Sequence, residues 1–252
     1  MEFENVKKIG IVGGGVMGGG IAQVMAIGGY EVIVRDLTEN IIQETKDSMF
    51  ESKWGMKRSV EVGKLSFDNC VEAMERVSFT TDLNDLADVD MIIEAVPENL
   101  ELKQQVFQEL DEIIKPEAIF TSNTSGFVIE EIAENVLESR KQLFAGMHFF
   151  NPVPIMKAVE IISTSQTSDI TTDTVTKVGE KAGKVTGQVA DASETYGFIS
   201  FQEQFMLLAQ KLAGFDKGES DKMRKTLVKK SLDSNAAKVQ ERIDLRKKFV
   251  NG

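Results

Sequence analysis

Two ionisable residues stand in apolar surroundings. His148 is the single histidine of the 252-residue chain and lies in Gly146-Met147-His148-Phe149-Phe150-Asn151-Pro152. Glu160 lies in the largely apolar run Met156–Ile162. Strand alternation across that run puts Glu160 on the same face as Met156, Ala158 and Ile162. A carboxylate on an apolar face is unfavourable without a cation or donors. One strand earlier lies the one side-chain type that gains charge near neutral pH. A His–Glu pair accounts for both: the carboxylate orients the ring and stabilises the imidazolium, and the ring acts as a general base. The plainer alternatives are a packed core histidine and an outward-facing Glu160 at a strand edge.

The second feature is Gly13-Gly14-Gly15-Val16-Met17-Gly18-Gly19-Gly20. The pattern GxGxxG falls on Gly13, Gly15 and Gly18, after an expected strand and at the start of an expected helix. Gly13 permits the tight turn, Gly15 lets the backbone approach a pyrophosphate, and Gly18 allows close helix–strand packing. The helix N-terminus offers free N–H groups and a favourable dipole to an anion. Asp36 ends the next strand, where its carboxylate can accept from ribose hydroxyls and repel a 2′-phosphate. That favours NAD over NADP, with Arg35 weighing slightly the other way. The alternative is a glycine-rich turn with no ligand.

These residues need elements to hold them. Lys7–Val12 reads as a strand, Val16–Ile27 as a helix and Glu31–Val34 as a second strand. Thr38 to Arg76 reads as two helices broken near Gly63. Val77–Thr80, Asp90–Val96, Ala118–Thr121, Leu143–Phe149, Lys157–Ile162 and Lys184–Val189 read as strands. Leu102, Val106, Leu110 and Ile113 recur at helical spacing, so Asn99–Ile114 is an amphipathic helix. Val128–Asn135 and Ile170–Ala182 are expected helices. Strands alternating with helices predict an α/β fold, a Rossmann-type doubly wound and mostly parallel sheet. Past Asp191 the strand signals stop. Phe198, Phe201, Phe205, Leu208 and Leu212 follow helical spacing, and the rest reads as Lys-rich helix. The expected organisation is a dinucleotide domain over 1–191 and a helical segment over 192–252.

Hydrophobic and charged fractions are those of a soluble globular protein, and the net charge is −11. Residues 216–252 carry eleven Lys/Arg against six Asp/Glu, while residues 1–215 carry 18 against 34. A basic tail on an acidic body reads as a tail docked on that body, or as a surface for a separate partner. One cysteine excludes an internal disulfide and fits a reducing compartment. With no signal-peptide layout and no membrane-length apolar run, a cytoplasmic protein is expected. No metal site is expected.

The segments GIVGGGVMGGGIAQVMA, EAVPENLELKQQVFQELD, SNTSG and GMHFFNPVPIMKAVEI resemble the 3-hydroxyacyl-CoA dehydrogenase family, in particular bacterial 3-hydroxybutyryl-CoA dehydrogenases, from about Lys7 to Asp191. The resemblance implies oxidation of a 3-hydroxyacyl-CoA to the 3-oxoacyl-CoA. It implies NAD held by Gly13, Gly15, Val16, Met17, Gly18, Asp36, Glu98, Lys103 and Asn123. His148 would be the base, Glu160 its partner, and Ser125 a donor to the reacting oxygen. Ser52, Lys57 and Lys64 would contact CoA from the helical excursion after the second strand. Read without the resemblance, Glu98 favours a helix N-terminus, and Ser122 and Ser125 are turn or cap residues.

The resemblance ends near Asp191. Family members continue with Pro-Gly-Phe-Ile-Val-Asn-Arg into a helical domain that closes the cleft and forms the dimer. Here the stretch is Tyr196–Gln202, with Phe201 at the asparagine position. Thr195–Gly252 resembles instead a segment of the bacterial DNA polymerase III alpha subunit, without recognisable catalytic aspartates. This implies a fusion joined near Ala192–Thr195. Three readings follow: a dehydrogenase weakened by loss of its cover, an NAD-binding hybrid whose helical tail mediates homo-oligomeric assembly, and, least favoured, a nucleic-acid contact through tail lysines.

Overall fold

The apolar run before the first glycine forms β1 (Lys8–Val12), and the chain turns at once into α1 (Val16–Ile27). The computed structural model describes residues 1–191, which fall in the first of two units, Met1–Glu194 and Thr195–Gly252. The helices expected beyond Asp191 therefore lie outside the described residues. After α1 come β2 (Glu31–Arg35), α2 (Glu39–Glu51), α3 (Met56–Glu61), α4 (Phe67–Glu75) and β3 (Val77–Thr80). Then follow β4 (Met91–Glu94), α5 (Leu100–Ile113), β5 (Ile119–Ser122), α6 (Ile129–Ile132) and α7 (Glu138–Lys141). The described part closes with β6 (Phe144–Phe149), β7 (Ala158–Ser163), α8 (Asp169–Lys181) and β8 (Val185–Ala190).

The eight strands form one sheet in the order β3-β2-β1-β4-β5-β6-β7-β8. The pairs from β3 to β6 are parallel, β7 runs antiparallel to β6, and β8 is parallel to β7. The expected mostly parallel Rossmann-type sheet is thus present. The chain reverses its winding between β1 and β4, and the carboxyl ends of the parallel strands meet there.

Both faces of the sheet are covered, which is why its central strands are apolar throughout. Ile9 and Ile11 of β1, Met91 and Ile93 of β4 and Ala145, Met147 and Phe149 of β6 pack with Ile21 and Met25 of α1 and Val175 and Val178 of α8. Val12, Ile92, Phe120 and Phe144 point the other way, to Phe107 and Leu110 of α5 and to α6. On that second face the rings of Phe107 and Phe144 meet edge to face, 4.6 Å between centroids.

Three expectations need correction. The stretch 38–76 contains three helices, because the chain breaks at Gly55 as well as at Gly63. A Cβ at Gly55 would press on the Phe50 carbonyl, and Gly63 takes a φ of +71°. Strand β7 begins only at Ala158, since Ile155 and Met156 both donate backbone N–H groups to Pro152 at 2.9 Å, in a turn that opens with a cis Asn151–Pro152 bond. Met156 is therefore not on the strand. The face that Glu160 shares with Ala158 and Ile162 is moreover less apolar than expected: Val159 and Ile161 are the fully buried residues of β7, Ala158 is exposed, and only Ile162 packs on the apolar cluster of the second sheet face. The short helix α7 was not anticipated, as one helical turn is too short to show periodicity.

Candidate active site

On the α5 face the sheet changes character toward the carboxyl ends of its strands. Two residues beyond Ile92 stands Glu94, two beyond Phe120 stands Ser122, and two beyond Gly146 stands His148. Alternation places all three on the face that carries the aromatic cluster, one layer further along. Gly146 keeps this layer tight: a Cβ there would lie 2.7 Å from the Ile162 Cδ1 atom.

His148 and Glu160 are directly opposed in the antiparallel β6–β7 register. Nδ1 of His148 lies 2.9 Å from the Glu160 carboxylate, and Nε2 lies 3.1 Å from Ser125 Oγ. Both members of the pair are shielded, with side chains 9% and 15% exposed. An ionised carboxylate can only accept, so in the neutral ring Nδ1 donates to Glu160 and Nε2 is the nitrogen left to accept from Ser125.

The loop after β5 brings Ser125 to that nitrogen. Glu98 Oε1 accepts from Thr124 Oγ1 at 2.6 Å, Ser125 N at 3.0 Å and Gly126 N at 3.2 Å. Asn123 Oδ1 accepts from Phe149 N at 2.8 Å, tying the same loop to the residue after His148. The helix-cap alternatives are not taken, but the turn alternative is at Ser122, whose hydroxyl accepts from Thr124 N at 3.3 Å. Asn99 caps α5 by accepting from Leu102 N, Ser122 donates to Glu94 at 2.6 Å, and the N-cap of α6 is Val128.

Lys103 is almost fully buried. Its ammonium lies 2.7 Å from Glu94 and 3.3 Å from Glu98. Burial pushes the Glu94 carboxyl above its ordinary range, and the Lys103 cation opposes that push. Sequence reasoning passed over Glu94 and Thr124 and gave Ser122 only a turn or cap role. A signal existed for the first: a carboxylate in the apolar strand DMIIEAV is as odd as Glu160.

The glycine loop sits at the switch point. Gly13 takes a φ of +100°, and a Cβ on Gly18 would fall on the Gly13 carbonyl oxygen. A Cβ on Gly15 would meet nothing within 4 Å. Thr38, Ser66, Asn99 and Ser168 cap α2, α4, α5 and α8 with their side chains, whereas the Gly15 N-cap leaves the first N–H groups of α1 without one. Val16 is 75% exposed at that end, with Met17 behind it half-buried. Asp36 accepts from Gly14 N at 2.5 Å and from Leu37 N at 2.6 Å. An open cradle, an uncapped helix start and an adjacent carboxylate fit the pyrophosphate and ribose of a dinucleotide.

Ser52 ends α2, where its carbonyl accepts from Gly55 N at 2.8 Å. Lys57 pairs with Glu51 at 2.6 Å, and Lys64 is exposed beside Gly63. Among the described residues these three share no hydrogen bond with the group around His148. No helix among the described residues is long and apolar enough to cross a membrane.

A parallel sheet with this loop at its switch point defines a dinucleotide-binding domain. The family model for the 3-hydroxyacyl-CoA dehydrogenase NAD binding domain matches residues 8–192, and the chain belongs to that family. It is 42% identical over 193 residues to a probable 3-hydroxybutyryl-CoA dehydrogenase of Deinococcus radiodurans, a match covering 77% of this chain and 66% of that one. The human mitochondrial hydroxyacyl-coenzyme A dehydrogenase is 34% identical over 220 residues, 86% of this chain and 68% of that one. The crystal structure of the (S)-3-hydroxybutyryl-CoA dehydrogenase of Ralstonia eutropha superposes with a TM-score of 0.73 at 32% identity, covering 83% of this chain and 71% of that one. The chain thus spans about two thirds of the length of such relatives. A second model, the bacterial DNA polymerase III alpha subunit finger domain, matches residues 155–248. That match starts well before the expected Thr195. Over the overlap the structure follows the dehydrogenase pattern, since β7 and β8 are registered into the sheet.

Proposed function

We propose that this protein is an NAD-dependent 3-hydroxyacyl-CoA dehydrogenase in which His148 is the general base. The observation that carries the reading is the ring of His148, held between Glu160 at Nδ1 and Ser125 at Nε2. NAD, when bound by Gly13–Gly18 and Asp36 with Glu98, Lys103 and Asn123 nearby, supplies the hydride acceptor. The 3-hydroxyl proton passes to Nε2, and Glu160 stabilises the imidazolium so formed. The Ser125 hydroxyl, displaced from Nε2 by the substrate, turns to the reacting oxygen as it becomes a carbonyl. Ser52, Lys57 and Lys64 contact the CoA moiety from the α2–α3 excursion, and the protein works in the cytoplasm.

The domain boundary lies near residue 191, and the segment beyond it stands where relatives carry a cleft-closing helical domain. With Phe201 at the asparagine position, turnover is weaker than in a relative that carries the asparagine. A second reading is favoured by the finger-domain match over residues 155–248: an NAD-binding hybrid without turnover, assembled through its C-terminal segment. NADH oxidation with acetoacetyl-CoA separates the two. Turnover that vanishes in His148→Gln establishes the dehydrogenase. NADH binding without turnover establishes the hybrid.

A further inference from the structure

We infer that Glu94 is a positioning residue that sets Ser125 opposite His148 by two routes. The inference rests on the reading of His148 and Ser125 as the reacting pair. Glu94 is fully buried at the end of β4. One oxygen takes the Lys103 ammonium at 2.7 Å and the Val96 amide at 2.7 Å. Lys103 in turn holds Glu98, whose Oε1 gathers Thr124, Ser125 and Gly126. The other oxygen takes the Ser122 hydroxyl at 2.6 Å, and that hydroxyl accepts from Thr124 N at 3.3 Å. Both routes end on the loop that carries Ser125.

Burying this ion pair is unfavourable unless every partner is satisfied, and here each is. Glu98 is 43% exposed at its side chain. An exposed carboxylate would not by itself keep one geometry, and the buried cation beneath it fixes one. A side-chain network with no role beyond filling would not need to terminate on the loop facing the base. Glu94 acts on Ser125 through Lys103, Glu98 and Ser122.

Because His148 is the only histidine, nitrogen NMR of the full chain labelled at histidine reads this ring without assignment and without turnover. Three variants are compared with the parent: Glu94→Gln, Glu94→Gln/Lys103→Met, and Ser122→Ala. Glu94→Gln is expected to displace the Nε2 resonance as the Ser125 contact loosens, and to lower kcat about a hundredfold with KM for the acyl-CoA little changed. The double variant removes both charges; it is expected to regain folding stability while the Nε2 line stays displaced. Ser122→Ala removes one hydroxyl, is expected to fold, and moves the same line by a smaller amount. If a single charge change unfolds the chain, the double variant and Ser122→Ala decide. Parent-like Nε2 resonances in every folded variant overturn the inference. A parent without turnover would count against the dehydrogenase reading alone, since the ring's resonances still report on Glu94.

Discussion

Asp36 and Gly14 are joined by a hydrogen bond of 2.5 Å from the Gly14 amide to the Asp36 carboxylate. The residue expected to read the ribose is therefore also a strut of the loop expected to cradle the pyrophosphate. Gly14 is gripped from the other side too, where Thr45 of α2 donates its hydroxyl to the Gly14 carbonyl at 2.5 Å.

Replacing Asp36 should therefore do two things at once. Asp36→Ala is expected to weaken NADH binding about tenfold to a hundredfold, the worth of a charge-assisted hydrogen bond. It should also narrow the preference for NADH over NADPH, as the repulsion of a 2′-phosphate is gone. Fluorescence titration with both nucleotides measures this; unchanged discrimination would remove Asp36 from the cofactor site.

Two glycines of one loop should behave oppositely. At Gly18 a Cβ meets the Gly13 carbonyl, so Gly18→Ala is expected to destabilise the fold by about 3 kcal/mol or more. At Gly15 nothing stands in the way of a Cβ, and φ is −58°. Gly15→Ala should leave the urea midpoint unchanged or slightly raised. It should still weaken NADH binding, because the methyl occupies the approach of the pyrophosphate. Equal NADH affinity in Gly15→Ala and the parent would exclude the loop as the cradle.

Glu160→Gln keeps the shape of the partner of His148 and removes its charge. The imidazolium formed on proton transfer then loses its stabilisation, and kcat should fall about a hundredfold or more. NADH affinity should hold within about twofold, a change well under 1 kcal/mol. Steady-state rates beside a binding titration give the answer. A loss carried wholly by NADH binding would assign Glu160 to cofactor positioning instead.

Lys184 gives a pH signature. Its ammonium is buried between the carbonyls of Val153 at 2.5 Å and Met156 at 2.9 Å, pinning the turn that joins β6 to β7. Burial lowers its pKa to about 8. An unfolded lysine keeps its proton to about pH 10.4. Between these values the unfolded chain binds more protons, so this group's contribution to stability rises with pH. The unfavourable effect of burying the cation is thus fully present below about pH 8 and relieved above it. Urea midpoints of the parent and of Lys184→Met at pH 7 and pH 10 should show the difference moving in favour of the parent at the higher pH. A constant difference would mean that the carbonyls hold the ammonium charged throughout.

What the sequence determined by itself was local. The GxGxxG spacing sets a turn and a helix start within eight residues, where glycine's freedom at φ +100° decides the conformation. Apolar periodicity marked α5, because it is a property of one segment. His148 and Glu160 could be suspected as partners from their unusual surroundings, although the face around Glu160 is only partly apolar. Tertiary structure decided what depends on contacts between distant segments. The antiparallel register puts residue 148 against residue 160. The strand order sets β4 beside β1 and β5 beside β4. Glu94 meets Lys103 only because α5 lies over that face of the sheet. Strand pairing and ion-pair burial are won by hydrogen bonding and packing across the fold, and side-chain spacing along one segment carries no record of them.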